Sequence, residues 1–199
     1  MTEPSGPLGA LPSSMDPATE VGTLVRRARR GEAGAEDALV GHWLPTVLAW
    51  CRRLGGPDID AEDAAHDVLV VVITRIERLR DPDCFGSWVF GITRRVLARH
   101  RRRAWLRRWL DPRADPGAAP PDPDQACDRT EEARRLRLAL DALSAAHREV
   151  LVLCDLEERR EAEAARLVGV PLGTVKSRLW AARGRLKVEA ARHGLGSGE

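Results

Sequence analysis

The stretch from Phe85 to Trp109 contains eight arginines and three tryptophans but no acidic residue. Arginine side chains neutralise phosphates, and an aromatic ring that stacks on an unpaired base contributes about 1–3 kcal/mol. The whole chain of 199 residues carries a formal net charge of only +2. The positive charge is therefore concentrated locally, which favours a nucleic-acid-binding surface in this stretch.

A second basic stretch, over residues 161–187, has the spacing of a helix-turn-helix. A short helix containing Ala165 and Leu167 ends at the turn residue Gly169, and Pro171 stands where a new helix begins. In the second helix, apolar residues recur in steps of four, three and four. This stripe consists of Val175, Leu179, Ala182 and Leu186. The pattern predicts one buried face on the second helix.

Over residues 174–187 the rest of the second helix carries polar, basic, small and aromatic residues, without an acid. The candidate DNA contacts are Thr174, Lys176, Ser177, Arg178, Trp180, Ala181, Arg183 and Arg185. A helix that enters the major groove needs an apolar back for docking and such residues in front, and Thr174 at its start can offer its hydroxyl and N–H to a phosphate. The alternative is an ordinary helical hairpin with a solvated basic face, although such faces normally include glutamates.

The elements that position these stretches are all predicted to be helices. The valine-rich run 68–73 invites a strand assignment, but apolar residues from Ala64 to Leu79 recur at three- and four-residue steps, and Asp60 stands at the N-cap position. The predicted helices lie near 18–30, 34–54, 60–80, 85–109, 130–143, 145–156, 161–168 and 172–192.

A proline-rich stretch divides the chain at residues 111–129, because its five prolines and scattered acids oppose any packed helix or strand. The sequence thus predicts an all-α fold with two small helical domains, 18–110 and 130–192, joined by a flexible linker. A twenty-residue coil has a root-mean-square span of roughly 25 Å, so each domain could bind a separate place on one long partner. Residues 1–17 are expected to form a disordered tail.

Composition excludes several other classes of protein. No apolar run approaches membrane-spanning length and the N-terminus lacks a signal-peptide pattern, so a cytoplasmic protein is expected. The four cysteines show no CxxC spacing, so no zinc or other metal site is expected, and the thiols are either structural or part of a redox-sensing disulfide. Neither a P-loop nor a nucleophile elbow is present, so neither an enzyme nor a cofactor is expected.

Taken together, these segments resemble the extracytoplasmic-function (ECF) group of bacterial sigma factors. Residues 143–186, "LSAAHREVLVLCDLEERREAEAARLVGVPLGTVKSRLWAARGRL", resemble sigma region 4, which reads the −35 promoter element. Residues 60–73, "DAEDAAHDVLVVVI", resemble regions 2.1–2.2, and residues 85–103, "FGSWVFGITRRVLARHRRR", resemble regions 2.3–2.4. The order of these segments and the position of the linker also match the family.

The resemblance implies a sigma factor without catalysis of its own, which binds core RNA polymerase and directs it to promoter DNA. It assigns −10 binding and strand separation to Arg80, Arg94, Arg95, Arg99, Arg101, Arg102 and Arg103. It implies that the clamp helices of the polymerase β′ subunit are contacted by Asp60, Asp63, His66 and Asp67. It also implies that region 4 binds the β flap. It also implies an anti-sigma factor as a partner.

Several interpretations remain open on sequence alone. The acids near Asp60 can be simple helix caps. The segment 104–110, "AWLRRWL", can lie on an anionic membrane or anchor the end of the domain. The whole chain can be a helix-turn-helix regulator whose first half is an unrelated sensor, although a sensor needs no basic-aromatic helix behind an acidic one. Arg95 and Arg99 stand where the family commonly has Asn and Asp, and asparagine and arginine favour different base edges.

Overall fold

The computed structural model describes residues 17–110 and 131–195, and within these two ranges it contains helices and no strand. The α-helices are α1 Pro17–Arg29, α2 Ala35–Gly55, α3 Ala61–Arg75, α4 Phe85–Leu110, α5 Glu131–Asp141, α6 Ala145–Leu151, α7 Glu161–Val168 and α8 Leu172–Arg192. The all-α prediction is confirmed. The predicted tail, apart from Pro17, and the predicted linker lie outside the described residues.

The valine-rich segment is a helix, as the periodicity predicted. The carboxylate of Asp60 caps α3 by accepting the N–H groups of Glu62 and Asp63, each at 2.9 Å. The apolar residues at helical spacing are all buried, from Ala64 through Val72. The α-helix ends at Arg75 rather than near residue 80, and a 3-10 turn over Ile76–Arg78 follows it.

Aromatic side chains form the centre of the first domain, where α2 meets α4. The rings of Trp50 and Phe90 pack edge to face with centroids 4.9 Å apart, and Trp43 and Phe85 do so at 5.2 Å. Trp50, Phe85 and Phe90 are fully buried, and Trp88 packs against them from a partly exposed position. The start of α4 is therefore anchored in the core, which fixes the direction in which its arginines extend.

The second domain contains the predicted helix-turn-helix. Gly169 ends α7 in the left-handed conformation, with φ +75°, which glycine adopts without strain. Pro171 immediately precedes the first residue of α8. The buried stripe of α8 consists of Val175, Leu179 and Ala182, with Leu186 packed partly against the same core. One predicted element differs, because α6 ends at Leu151 and continues as a π turn over Val152–Leu156.

The two domains lie in contact. Helix α4 of the first domain packs against α7 of the second, and α2 also touches α6. The sequence predicted no contact between the domains, and the flexible linker that it predicted lies outside the described residues. Polar contacts and one apolar cluster both join the domains, and helical periodicity reveals neither. In the described part of the chain, none of the helices has the length and apolar character needed to cross a membrane.

Candidate nucleic-acid interface

The basic surface of the first domain lies along α4 and in the loop that precedes it. Its predicted arginines other than Arg101 have exposed positions: Arg80, Arg94, Arg95, Arg99, Arg102 and Arg103. Within the described ranges, Arg80, Arg95, Arg102 and Arg103 have no hydrogen-bonding or ion-pairing partner among the contacts of the structure. These four guanidinium groups are available to bind phosphates.

Three of the predicted arginines already have partners within the chain. Arg94 donates from Nε to Oε1 of Glu149 at 2.7 Å, and Arg99 donates to Oδ2 of Asp67 at 2.6 Å. Arg101 is half-buried and donates to the backbone oxygen of Leu54 at 3.0 Å, and burial lowers the pKa of its guanidinium. The sequence did not predict these pairs, because each partner is more than thirty residues away.

The predicted polymerase contacts form an acidic ridge on α3 beside the basic helix. Asp63 and His66 are exposed, and Asp60 combines an exposed position with its capping role. Asp67 is more enclosed, since His100 Nε2 lies 2.9 Å from the carboxylate that also binds Arg99. The hydrogen bond from His100, together with the charge of Arg99, lowers the pKa of Asp67. Asp67 therefore joins α3 to α4 before any partner binds.

The predicted recognition helix α8 presents its polar face outward. Lys176, Ser177, Trp180, Arg183 and Arg185 are exposed, whereas Thr174, Arg178 and Ala181 are partly covered. These eight residues lie along one helix.

Two of the eight predicted side chains already have partners within the chain, and so does the backbone N–H of Thr174. Arg183 binds Asp155 through two nitrogens, at 3.0 and 2.6 Å, and Ser177 donates to the backbone oxygen of Thr174 at 3.1 Å. The N–H of Thr174 donates to Pro171 at 2.9 Å, so only its hydroxyl is left for a phosphate.

The tryptophans at the end of α4 are not the anchors that one reading of the sequence predicted. Trp105 and Trp109 are 58% and 67% exposed, and their rings lie nearly parallel with centroids 6.5 Å apart. Leu106 and Leu110 are exposed beside them. An apolar cluster of this kind marks an interaction surface more often than a structural anchor, and here it continues the surface that carries the arginines.

The thiols in the described residues are free rather than paired. Cys51 is buried, and burial raises the pKa of its thiol to about 12. Cys84 is exposed, but its Sγ donates to Asp81 at 3.3 Å and this hydrogen bond raises its pKa. A thiol with a raised pKa forms little of the reactive thiolate. These environments favour structural thiols over a redox-sensing pair, and Cys127 lies outside the described residues.

Two substitutions of Asp60, the residue that caps α3, distinguish its role in stability from a role in partner binding. Asp60→Ala should lower the free energy of unfolding by about 1 kcal/mol, because two N–H groups lose their acceptor. Asp60→Ser should retain most of that stability, since serine also caps, while it removes the charge. Chemical denaturation measures the first effect and transcription with core polymerase measures the second. If Asp60→Ser transcribes like the wild-type protein, the charge of Asp60 is not a polymerase contact.

Comparison with known proteins accounts for both domains. The Sigma-70 region 2 family matches residues 39–107, and the Sigma-70, region 4 family matches residues 133–186. The chain is 30% identical over 185 residues to the ECF RNA polymerase sigma factor SigE of Mycolicibacterium smegmatis, covering 90% of this chain and 72% of SigE. It is 32% identical over 167 residues to the ECF RNA polymerase sigma factor RpoE of Cereibacter sphaeroides, covering 81% of this chain and 88% of RpoE.

A solved structure supports the same assignment. The structure of CnrH in complex with the cytosolic domain of CnrY superimposes with a TM-score of 0.61 at 25% identity, covering 84% of this chain and 95% of the matched chain. The family matches fall on the two helical domains, and the helix-turn-helix lies within the second of them. The chain therefore belongs to the ECF group of the sigma-70 family, the transcription initiation factors that direct core RNA polymerase to promoters.

Proposed function

We propose that the two domains of this sigma factor divide the promoter between them. The first domain reads the −10 element and holds the separating strands with α4, and the second reads the −35 element with α8. The observation that carries this proposal is the pairing of two acid-free surfaces, one in each domain. Helix α4 has no acid over its whole length, and α8 has none before Glu189.

The exposed arginines of α4 supply the phosphate contacts of the first domain. Arg95, Arg102 and Arg103 hold the duplex, with Arg80 in the loop before the helix, and Arg94 and Arg99 join them when their acidic partners are displaced. Trp105 and Trp109 provide apolar rings on the same surface. Phosphate contacts position a protein on DNA, whereas contacts to base edges supply specificity.

The second domain uses α8 as a recognition helix. Arg178 and Ser177 lie near its start, where a helix in the major groove reaches the base edges. Lys176 and Arg185 flank them and contact the phosphates, while Trp180, Ala181 and Arg183 line the remainder of the face. The Thr174 hydroxyl contacts a phosphate at the beginning of the helix.

Polymerase binding is assigned to the acidic ridge of α3 and to the second domain. Asp60, Asp63, His66 and Asp67 contact the clamp helices of the β′ subunit, and the second domain binds the β flap. The protein acts in the cytoplasm together with its polymerase. An anti-sigma factor controls it, in line with the solved complex of CnrH with the cytosolic domain of CnrY.

Run-off transcription with purified core polymerase tests the proposal. A library of genomic fragments used as template should yield discrete transcripts only when the protein is added, and sequencing of their starts should reveal shared −10 and −35 elements. The free protein should bind the same fragments weakly. Tight sequence-specific binding by the free protein, without any effect on polymerase, would instead indicate a stand-alone regulator.

A further inference from the structure

The last turns of α4 expose four large apolar side chains next to one another. Trp105, Leu106, Trp109 and Leu110 are 58%, 44%, 67% and 67% exposed, and we call these four residues the apolar tip. The two indole rings lie nearly parallel, with centroids 6.5 Å apart. Adjoining apolar side chains on a surface mark a site that binds a protein, a ligand or a membrane. The apolar tip therefore calls for a partner that covers all four side chains.

Arginines border the apolar tip along the same helix. Arg102, Arg103 and Arg107 are exposed, and none of them has a hydrogen-bonding or ion-pairing partner among the described residues. With 3.6 residues in each turn, these three side chains spread over about 140° of the helix circumference. The helix contains no acid to offset them. The partner of the apolar tip must therefore carry negative charge over a broad area.

Promoter DNA complements only part of this surface. An unpaired base that stacks on Trp105 or Trp109 covers an aromatic ring, but it leaves Leu106 and Leu110 in water. Duplex DNA offers phosphates to the arginines, and its polar backbone does not match two aliphatic side chains. A partner with negative charge at its surface and hydrocarbon directly beneath that charge would match both features.

A membrane that contains anionic lipid has this layered chemistry. Tryptophan rings favour the level of the lipid headgroups, and leucines enter the boundary of the acyl chains. Arginine side chains lay their apolar stems along hydrocarbon and keep the guanidinium groups at the phosphates. The spread of the three arginines around α4 also fits an extended surface better than a one-sided protein groove.

We propose that the apolar tip of α4 inserts shallowly into the surface of an anionic membrane, with Arg102, Arg103 and Arg107 on the lipid phosphates. Arg102 and Arg103 are also assigned to promoter DNA, so lipid and DNA compete for the same guanidinium groups. Protein on the membrane is thereby withheld from promoters. The competition rests on the proposed function, whereas the lipid contact itself does not.

Cosedimentation of the full chain with vesicles tests the lipid contact. An equal mixture of phosphatidylcholine and phosphatidylglycerol is compared with phosphatidylcholine alone. The wild-type protein should bind the anionic vesicles at least about tenfold more tightly than the neutral ones, since each basic residue at such a surface contributes about fivefold. Equal binding to both kinds of vesicle overturns the proposal.

A double variant tests the apolar tip itself. Trp109→Ser with Leu110→Ser should lower the affinity for anionic vesicles at least about tenfold, because burial of two large apolar side chains contributes more than this factor. The control, Leu44→Ser with Val188→Ser, removes two apolar side chains that are 42% and 52% exposed on α2 and α8, and it should bind like the wild type. Equal affinities of the double variant and the control overturn the proposal.

Two further measurements test insertion and charge separately. Lipids brominated along the acyl chain should quench the tryptophan emission of the wild-type protein, because the indoles of the apolar tip reach the hydrocarbon. Binding without quenching shows attraction by charge alone and overturns the insertion. Arg107→Ala, at a residue without a promoter assignment, should lower the affinity for anionic vesicles about fivefold. Unchanged affinity of this variant contradicts the contact between Arg107 and lipid phosphate.

Other partners of the apolar tip would give different results. If the double variant loses affinity for promoter DNA but binds vesicles like the control, the apolar tip serves DNA and the proposal is wrong. If analytical ultracentrifugation shows a wild-type dimer that the double variant does not form, and neither protein binds vesicles, the partner is a second copy of the chain.

The competition is measured by run-off transcription with and without anionic vesicles. The vesicles should inhibit the wild-type protein more than the double variant, and equal inhibition overturns the competition. Failure of every protein to direct transcription without vesicles overturns the proposed function alone, because vesicle binding is measured in the absence of polymerase.

Discussion

Arg178→Ala is expected to weaken the initial complex of the holoenzyme with its duplex promoter by about 5- to 150-fold, the equivalent of about 1–3 kcal/mol for one base-reading arginine. Arg178 lies near the start of α8 and is partly covered, and the proposed function assigns it to the base edges. The loss of affinity should be smaller on promoters whose −35 element is altered, because the substitution removes a base contact only where that base is present.

Lys176→Ala provides the comparison within the same helix. Lys176 is exposed at the flank of α8, so it should act as a phosphate contact. Removal of this contact should lower the affinity for all duplexes evenly. It should also reduce the slope of log affinity against log salt by about one unit. Filter binding at several salt concentrations measures both variants, with Arg192→Ala as a control beyond the predicted face. Equal losses for Arg178→Ala on matched and altered −35 elements would show that Arg178 contacts phosphate only.

The double change Arg102→Ala and Arg103→Ala should reduce open-complex formation at least about tenfold, since hydrogen bonds to charged groups contribute about 1.5–3 kcal/mol each. Both side chains are exposed on α4. The defect should be smaller on templates that are already mismatched around the start site, because these need no strand separation. Permanganate footprinting on matched and pre-melted templates measures the difference.

Arg101→Ala separates DNA binding from folding on the same helix. Its guanidinium donates to Leu54 and is half-buried, so its loss should loosen the packing of α2 against α4 and reduce activity on both templates alike. Variants at Arg102 and Arg103 that are equally defective on both templates would contradict the role given to α4 in opening the promoter.

Helical periodicity was sufficient to predict most of the fold. The spacing from Ala64 to Val72 outweighed the strand preference of a valine run, because burial on one face of a helix decides such segments. Gly169 marked the end of α7, because a left-handed residue there is ordinarily glycine. The π turn after Leu151 and the shortened α3 were not predictable, since both leave the apolar pattern nearly unchanged.

The candidate site was only partly readable from sequence. Residue type and helix face indicated which arginines are exposed. They did not indicate which of these arginines form an ion pair with an acidic residue from another part of the fold. Arg94 and Glu149 are 55 residues apart, and Trp50 and Glu157 are 107 apart. Glutamates in helices are ordinary, so nothing in their spacing distinguished these two from solvent-facing acids. The division between available and occupied arginines therefore depends on tertiary structure.

The distribution of tryptophans gives the protein an optical reporter in its second domain. Five of the six tryptophans belong to the first domain, and Trp180 is the sixth. Its indole is 81% exposed on α8, so it should emit at the long wavelengths typical of a hydrated ring. With the emission of a Trp180→Phe variant subtracted, the emission colour of this one native side chain would follow the docking of α8 in real time, without any dye on the protein or on the DNA.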